Sequence, residues 1–159
     1  MKIFLTVGSM LPFDRLVNAM DIWAGQHPEA EVFAQIGLTS FVPAHMKWQA
    51  MISPDEYRTQ FANCDLVVSH VGMGTVITAF ESDKPLLMLA RRPELQEVTS
   101  NHQLATAQWL VGRPGIAVIE SESQLAEGIA ANIGGAGVSR IDSGTQQQLV
   151  QALRKFIEA

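Results

Sequence analysis

Cysteine is nearly missing from this sequence of 159 residues, in which Cys64 is the only one. A single thiol excludes a disulfide within the chain and a metal site built from several thiolates. Because a free cysteine is among the most often buried residue types, we expect Cys64 to pack in the core as a small apolar residue.

Charged residues are also scarce, at 17% of the sequence, and the net charge is -5 at pH 7. Without an excess of basic residues, the chain lacks an electrostatic field suited to a nucleic-acid backbone, so we expect no nucleic-acid partner. The longest apolar run, residues 85–90, falls far short of the ~20 residues of a membrane-spanning helix. The first apolar stretch is too short for a signal peptide, and the chain is therefore predicted to be cytoplasmic.

The predicted strand ends lack the side chains that usually bind metals. No Asp-x-Asp pair, carboxylate ladder or His/Cys cluster follows a strand, so we expect neither a divalent-metal site nor a cofactor. Arginine side chains and helix dipoles then have to neutralise any phosphate that the protein binds.

Short apolar segments alternate with helical patterns, and hydrophobic residues make up 47% of the chain, enough for one well-filled core. This alternation is typical of βαβ units, so we predict an α/β fold, a single doubly wound, Rossmann-like domain with a mostly parallel sheet. The predicted strands are residues 2–7, 31–36, 47–52, 66–69, 85–89 and 116–119, and the predicted helices follow Pro12 and cover 54–61, 72–82, 101–110 and 124–133.

The end of the chain has a different composition. Residues 134–144 are rich in Gly and Ser and predict a loop, and residues 145–158 carry an apolar stripe typical of an amphipathic helix. We assign residues 1–159 to one domain, of which 133–159 form this loop and helix. The helix either packs on its own domain or docks on a partner subunit, and the sequence leaves both open.

The most informative segment reads SHVGMGT, from Ser69 to Thr75, and follows a predicted strand. In doubly wound sheets, ligands bind beyond the carboxyl ends of the strands. Gly72 and Gly74 let the backbone approach a ligand, and the free N–H groups at the start of the next helix suit a diphosphate. The Thr75 hydroxyl and a ring N–H of His70 are further donors. Glycines also occur there for the turn alone, and the sequence does not decide between the two readings.

A second turn, Gly8-Ser9, follows the first predicted strand and is poorer in glycine. Because both turns belong to the same edge of the predicted sheet, this one faces the phosphates or an incoming acceptor. The alternative is a plain turn in which Asp14 supports the start of the following helix.

Polar side chains also follow the predicted strand 85–89. Arg91 and Arg92 can bind a diphosphate or a sugar carboxylate, because the guanidinium fork matches such oxygens bidentately. The alternative is a solvated pair beside neighbouring acidic residues. Asn101-His102-Gln103 brings hydrogen-bonding groups suited to sugar hydroxyls to the start of a helix, although Asn101 is equally suited to cap that helix.

In this order, the segments resemble the glycosyltransferase family 28 C-terminal domain. The resemblance covers residues 2 to about 120 and is closest to the PssE-type subunits of exopolysaccharide and capsule synthesis. More distantly, the chain is similar to the catalytic subunit of the eukaryotic two-component UDP-GlcNAc transferase and to the C-terminal half of MurG. The matching segments are TVGS (6–9), PFDRL (12–16), QIG (35–37), SHVGMGT (69–75), KPLLML (84–89), ARR (90–92), Glu97 and NHQ (101–103).

The resemblance implies half of a GT-B fold and a UDP-sugar-dependent hexosyl- or glycuronosyltransferase that inverts the anomeric centre. By the same resemblance, the loop from Gly72 to Thr75 holds the diphosphate of the donor. One position departs from the MurG pattern, since Thr78 stands where those members carry an acidic residue for the ribose. PssE-type members have a similar threonine, and Glu81 lies one turn further along. The candidate catalytic residue is His70, and the candidate substrate-binding residues are Gly8, Ser9, Gly72, Met73, Gly74, Thr75, Arg91, Arg92, Glu97, Asn101, His102 and Gln103.

A GT-B enzyme encloses its cleft between two Rossmann-like domains, and the resemblance accounts for one. It implies a membrane-anchored PssD-type partner that holds the lipid-linked acceptor at the cytosolic membrane face. We place the general base in that partner, because His70 beside the phosphates fits a donor role better. The helix 145–158 is our candidate for part of the docking surface.

Two other functions remain open at this stage. The chain can be a non-catalytic subunit that binds the nucleotide sugar or stabilises a complex in which the partner performs the transfer. A flavodoxin-like or receiver-type module is the third possibility, although the acidic cluster typical of receivers is missing from the predicted strand ends.

Overall fold

A computed structural model describes residues 1–138 of the chain. Most of the predicted loop 134–144 and the whole predicted helix 145–158 lie outside the described residues. The described part forms one sheet of six parallel strands in the order β3-β2-β1-β4-β5-β6. The strands are β1 (Lys2–Thr6), β2 (Glu31–Gln35), β3 (Lys47–Gln49), β4 (Leu66–His70), β5 (Leu86–Leu89) and β6 (Ile116–Ile119).

Five α-helices cover the two faces of the sheet, which confirms the predicted doubly wound, Rossmann-like fold. They are α1 (Asp14–Gln26), α2 (Pro54–Asn63), α3 (Met73–Glu81), α4 (His102–Leu110) and α5 (Leu125–Asn132). Every predicted strand and helix up to residue 133 is present, but β3 ends at Gln49 rather than at residue 52. The sequence did not predict two single-turn 3₁₀ helices, Pro93–Leu95 and Glu122–Gln124.

Side chains of the central strand β1 alternate between two apolar cores. Leu5 packs with α1 and α5 on one face, and Phe4 packs with α2, α3 and α4 on the other. Successive residues of a strand point to opposite faces, so this strand needs apolar residues at almost every position. Cys64 belongs to the second core and is 4% exposed, which confirms its predicted packing. Burial raises the pKa of its thiol to about 11, so the thiol is unreactive at neutral pH.

The register of the sheet brings the functional loops together. Thr6 at the end of β1 pairs with Gln35 of β2 and with Ser69 of β4. The carboxyl ends of the three strands are therefore level, and the loops that follow them leave from one edge. Gly37, with φ +60, packs so closely on this edge that a Cβ there would lie 2.6 Å from the carbonyl oxygen of Gly8.

The described helices contain none that is long and apolar enough to span a lipid bilayer. Within residues 1–138, no three side chains of His, Cys, Asp or Glu are grouped so that they could hold a metal ion.

Candidate functional site

A cavity of about 490 Å³ opens at the carboxyl ends of β1, β2 and β4. Its volume falls within the range typical of small-molecule sites, and its position is the one at which doubly wound sheets bind ligands. It is lined by Thr6, Val7, Gly8, Ser9, Met10, Gln35, Met51, Ile52, Pro54, Tyr57, His70, Gly72, Gly74, Thr75, Thr78 and Arg91. Both predicted glycine turns thus contribute to one site, as their shared edge of the sheet led us to expect.

The amino terminus of α3 forms one wall of the cavity. Gly72 occupies the N-cap position in an extended conformation, and no side chain within residues 1–138 caps the helix. The N–H groups of Met73, Gly74 and Thr75 have no acceptor within a helix that starts at this point, and the positive end of the helix dipole coincides with them. This arrangement suits an anion, and above all an anion with several oxygens such as a phosphate.

Gly74 has no steric neighbour among residues 1–138. A Cβ at this position would meet no heavy atom of this part of the chain within 4 Å, and the backbone φ is not positive. Neither packing against the described residues nor backbone conformation therefore requires glycine here. Glycine is also less favourable than alanine within a helix. The absence of a side chain leaves the first turn of α3 open toward the cavity.

The His70 imidazole lies between the two glycine turns. A Cβ on Gly8 would lie 2.9 Å from Cε1 of this ring, and a Cβ on Gly72 would lie closer still to Nε2. Gly8 also has a φ of +76, in the left-handed region that favours glycine. Unlike Gly74, these two glycines are required by the fold itself, because they leave room for the ring.

Burial, and secondarily the positive charge of Arg91, lowers the pKa of His70 to about 4, an effect that the Thr6 carbonyl partly opposes. The imidazole is therefore neutral at physiological pH. Its Nδ1 is buried and makes no hydrogen bond with any residue of the described part. His70 thus meets a ligand as a neutral hydrogen-bonding group rather than as a fixed cation.

The neutral His70 makes the stability of the free protein pH-dependent. Its pKa is lower in the folded chain than in the unfolded chain, so the stability it contributes is present above pH ~6.5 and is lost as the pH falls toward 4. Between pH 7 and pH 5, we expect the wild type to lose about 2 kcal/mol more of its free energy of unfolding than His70→Gln does. Urea unfolding at the two pH values measures this difference, and the exposed His102→Gln is the matched control, which should behave as the wild type does. Equal losses in all three proteins would show that His70 titrates normally.

Arg91 is 3% exposed and reaches the cavity from the end of β5. Its Nη2 donates to the carbonyls of Val7 (2.7 Å) and Leu11 (2.6 Å), and its Nε donates to that of Pro12 (3.3 Å). The guanidinium carbon lies 5.0 Å from the centre of the Phe13 ring. Most of its donors are thus committed to the backbone of the first glycine turn.

Arg92 and Glu97 were grouped with Arg91 as candidates, but they lie outside the cavity. The guanidinium of Arg92 donates to the carbonyl of Glu120 and lies 3.9 Å from Glu94. The Glu97 carboxylate accepts from Nε (2.8 Å) and Nη2 (2.9 Å) of Arg15 and from the Arg92 backbone N–H (2.9 Å). These contacts tie α1 to the loop after β5.

The Asn-His-Gln segment also lies outside the lining of the cavity. The side chains of Asn101 and His102 are exposed, and Asn101 does not cap α4 through its side chain. Gln103 is linked to the site indirectly, because its Oε1 accepts the Arg91 backbone N–H at 3.0 Å. Met73 points away from the cavity lining and packs against the core under α3.

Several lining residues were not predicted from the sequence, and three of them form a polar floor together with Thr75. The Thr6 hydroxyl donates to Oε1 of Gln35 (2.7 Å) and accepts from the Gly8 N–H (3.4 Å). The Tyr57 hydroxyl lies 3.4 Å from that of Thr75. Thr6 and Gln35 are polar residues at the ends of otherwise apolar strands, and both belong to segments of the family resemblance, TVGS (6–9) and QIG (35–37).

Part of the cavity wall is apolar and includes Met51, Ile52 and Pro54. Thr78, one turn into α3, lines the cavity and donates its hydroxyl to the Gly74 carbonyl at 3.0 Å. Glu81 is exposed and is not part of the lining. A ligand with one end at the α3 terminus would therefore share the cavity with an apolar surface and with the Thr78 hydroxyl of α3.

No protein-family model matches the sequence, and no curated protein matches it significantly. Solved structures do match the fold. The glycotransferase of kitacinnamycin aligns with a TM-score of 0.62 and 17% identity, over 97% of this chain and 38% of its own. The calicheamicin glycosyltransferase CalG4 aligns with a TM-score of 0.59 and 15% identity, over 98% and 39%.

A third solved structure has nearly the length of this chain. The solution structure of ALG13 aligns with a TM-score of 0.62 and 16% identity, over 93% of this chain and 94% of that one. The chain therefore spans about two fifths of the length of the kitacinnamycin and calicheamicin enzymes and nearly all of ALG13. These alignments show that it has the fold of the Rossmann-like half of a GT-B glycosyltransferase.

Proposed function

We propose that this chain is the donor-binding and catalytic subunit of a two-component inverting glycosyltransferase of exopolysaccharide or capsule synthesis. It moves a hexosyl or glycuronosyl group from a UDP-sugar to a lipid-linked saccharide. The observation that carries the proposal is the uncapped amino terminus of α3, which opens through Gly74 on a cavity at the carboxyl edge of a GT-B half. The PssE-type resemblance of the sequence supports the finer assignment.

The α3 terminus supplies what departure of UDP requires. When the bond between the sugar and the diphosphate breaks, negative charge accumulates on the leaving oxygen. Oriented N–H groups of Met73, Gly74 and Thr75 stabilise that charge, and they do so more strongly in a closed, dry cleft than in water. His70, being neutral, adds a hydrogen bond rather than a charge. This chain binds and stabilises the donor, and we assign the general base to the partner.

The remainder of the cavity fits a nucleoside. Met51, Ile52 and Pro54 offer an apolar wall for a planar base, and the Thr78 hydroxyl offers a hydrogen bond to the ribose. The proposal thus gives Thr78 the ribose contact that an acidic residue makes in MurG-like proteins. A hydroxyl makes a neutral hydrogen bond there, which is weaker than a charge-assisted one.

The resemblance to PssE-type subunits is the basis for proposing a two-component enzyme. The described fold corresponds to one Rossmann-like half of a GT-B enzyme. We propose that a PssD-type, membrane-anchored partner supplies the acceptor half and brings the complex to the cytosolic membrane face. The helix predicted at 145–158 is a candidate docking element. A pull-down in which a folded variant lacking residues 146–159 still captures the partner would exclude that element.

Calorimetric titration tests the donor site directly. We expect UDP to bind with one site per chain, and one of UDP-glucose, UDP-GlcNAc, UDP-galactose or UDP-glucuronate to bind more tightly when the proposed PssD-type partner is present. FMN is the control ligand for a flavodoxin-like site and should give no heat. Binding of FMN together with no binding of UDP would contradict the proposal.

A transfer assay separates the catalytic subunit from a non-catalytic one. In the assembled complex, His70→Ala and Thr75→Val should reduce transfer at least ten-fold while a pull-down shows unchanged assembly, because each variant removes a donor next to the diphosphate. Full activity of both variants would indicate that the partner performs the transfer and that this chain only binds or stabilises.

A further inference from the structure

Arg91 was a candidate ligand of phosphate or sugar, but its contacts point to another role. The side chain leaves the end of β5 and crosses under the first glycine turn, where Nη2 and Nε donate to the carbonyls of Val7, Leu11 and Pro12. Both hydrogens of Nη2 and the hydrogen of Nε are used by these bonds. Only Nη1 has no hydrogen bond within residues 1–138.

Two further contacts hold Arg91 in this place. Its guanidinium stacks on Phe13, the residue before α1, at 5.0 Å from the ring centre. Its backbone N–H donates to Oε1 of Gln103 in α4. A side chain with 3% exposure and these partners has one arrangement, so it does not turn toward a ligand without breaking the bonds to the loop.

The segment that Arg91 holds needs such support. Ser9, Met10 and Leu11 are exposed, and Met10 is 81% exposed. The described part shows no backbone hydrogen bond from their N–H groups. Nη2 of Arg91 donates to the carbonyl of Val7, before the turn, and to that of Leu11, at its end. The guanidinium thereby links the two ends of the turn.

We propose that Arg91 is a positioning residue, which shapes the diphosphate site by holding the turn Gly8–Leu11 in place, rather than a ligand of the diphosphate. Its effect on binding rests on the function proposed above, whereas its effect on the turn does not. The charge of Arg91 has a second consequence, because it helps to keep the neighbouring His70 neutral. One buried cation therefore holds the turn and adds to the effect of burial on the protonation of His70.

The test uses Arg91→Lys and Arg91→Gln in the full chain. Lysine keeps the charge but cannot donate to three carbonyls in a plane, and glutamine keeps a planar donor without the charge. The matched control is Arg113→Lys, since Arg113 also stacks on an aromatic ring, Trp109 at 4.8 Å, but outside the cavity. Thermal unfolding first selects variants that are folded at the temperature of the measurements.

The first readout needs no ligand. In the folded variants, we expect the backbone ¹⁵N order parameters of Ser9, Met10 and Leu11 to fall from about 0.85 to below about 0.6, whereas Arg113→Lys leaves them unchanged. The pKa of His70, followed by NMR, should rise in Arg91→Gln because a neighbouring positive charge is removed. Unchanged order parameters in both Arg91 variants would overturn the proposal even if the wild type failed to bind UDP.

The second readout is the dissociation constant of UDP. A positioning residue predicts a similar loss, about ten-fold or more, in Arg91→Lys and Arg91→Gln, because both variants release the turn. If Nη1 instead contacts the ligand, the dissociation constant of Arg91→Lys should stay within about two-fold of the wild-type value. Only Arg91→Gln should then lose affinity for UDP. That result, or a mobile turn with unchanged affinity, would overturn the proposal.

Discussion

Replacing Gly74 with alanine should leave the fold as stable as the wild type and weaken UDP binding about a hundred-fold. The fold is insensitive because a Cβ at this position meets no atom of the described residues within 4 Å, and alanine is the better helix former by up to about 1 kcal/mol. Binding is sensitive because a methyl group at the first turn of α3 occupies the space through which phosphate oxygens reach the N–H groups. A hundred-fold loss corresponds to about 2.7 kcal/mol, the scale of one or two charge-assisted hydrogen bonds.

This variant separates ligand binding from stability, which most substitutions in a cavity do not. Calorimetric titration with UDP gives the affinity, and urea unfolding gives the free energy of unfolding. Glu81→Ala is the matched control, because it places alanine on the exposed face of the same helix, outside the cavity. It should bind UDP as the wild type does. If Gly74→Ala binds UDP within two-fold of the wild type, the α3 terminus does not hold the diphosphate.

Replacing Gly72 with alanine should destabilise the protein by about 3 kcal/mol, and the loss should largely vanish when His70 is also replaced by alanine. A Cβ added to Gly72 would overlap the His70 ring, whereas the backbone of Gly72, with φ -123, is ordinary for any residue. The loss is therefore a steric overlap of the kind that costs about 1–3 kcal/mol in a packed interior. Removal of the ring removes its cause. A double-mutant cycle by urea unfolding measures the coupling.

Gly8 provides the contrasting case. A Cβ on Gly8 also meets the His70 ring, but its φ of +76 places it in the left-handed region. An alanine there costs about 1–2 kcal/mol in backbone conformation whatever the neighbouring side chain. We therefore expect the loss in Gly8→Ala to persist at that level in the His70→Ala background. Equal rescue of both glycine variants, or rescue of neither, would contradict the position of the ring between the two turns.

These predictions concern the parts of the site that the sequence did not distinguish. Gly8, Gly72 and Gly74 looked alike in the sequence, as glycines in turns after strands. The structure shows that the three positions differ in whether and why they require glycine. Gly8 needs a left-handed backbone, Gly72 needs room for an imidazole, and no contact in the described part of the chain requires glycine at position 74. Steric neighbours come from distant segments, so a local pattern does not contain this information.

The polar candidates show the same limit. Arg91, Arg92 and Glu97 all follow β5, and only Arg91 lines the cavity. Arg92 and Glu97 are engaged with partners far away in the sequence, such as Glu120 and Arg15. Adjacent residues point in different directions, and the sequence does not show which direction faces a cavity. The floor formed by Thr6, Gln35, Tyr57 and Thr75 was not identified for the same reason, since its members come from four separate elements.

The sequence by itself determined the order of strands and helices, the parallel doubly wound sheet and the edge of the sheet at which the cavity lies. Apolar periodicity and glycine turns are local properties, and the chirality and connection rules of βαβ units convert their order into a topology. Only the tertiary structure decided which donors of the SHVGMGT loop have no partner within residues 1–138, that His70 is neutral, and that Arg91 is committed to the backbone of the first turn. These properties depend on burial and on contacts between segments up to 84 residues apart, which arise only when the chain is folded.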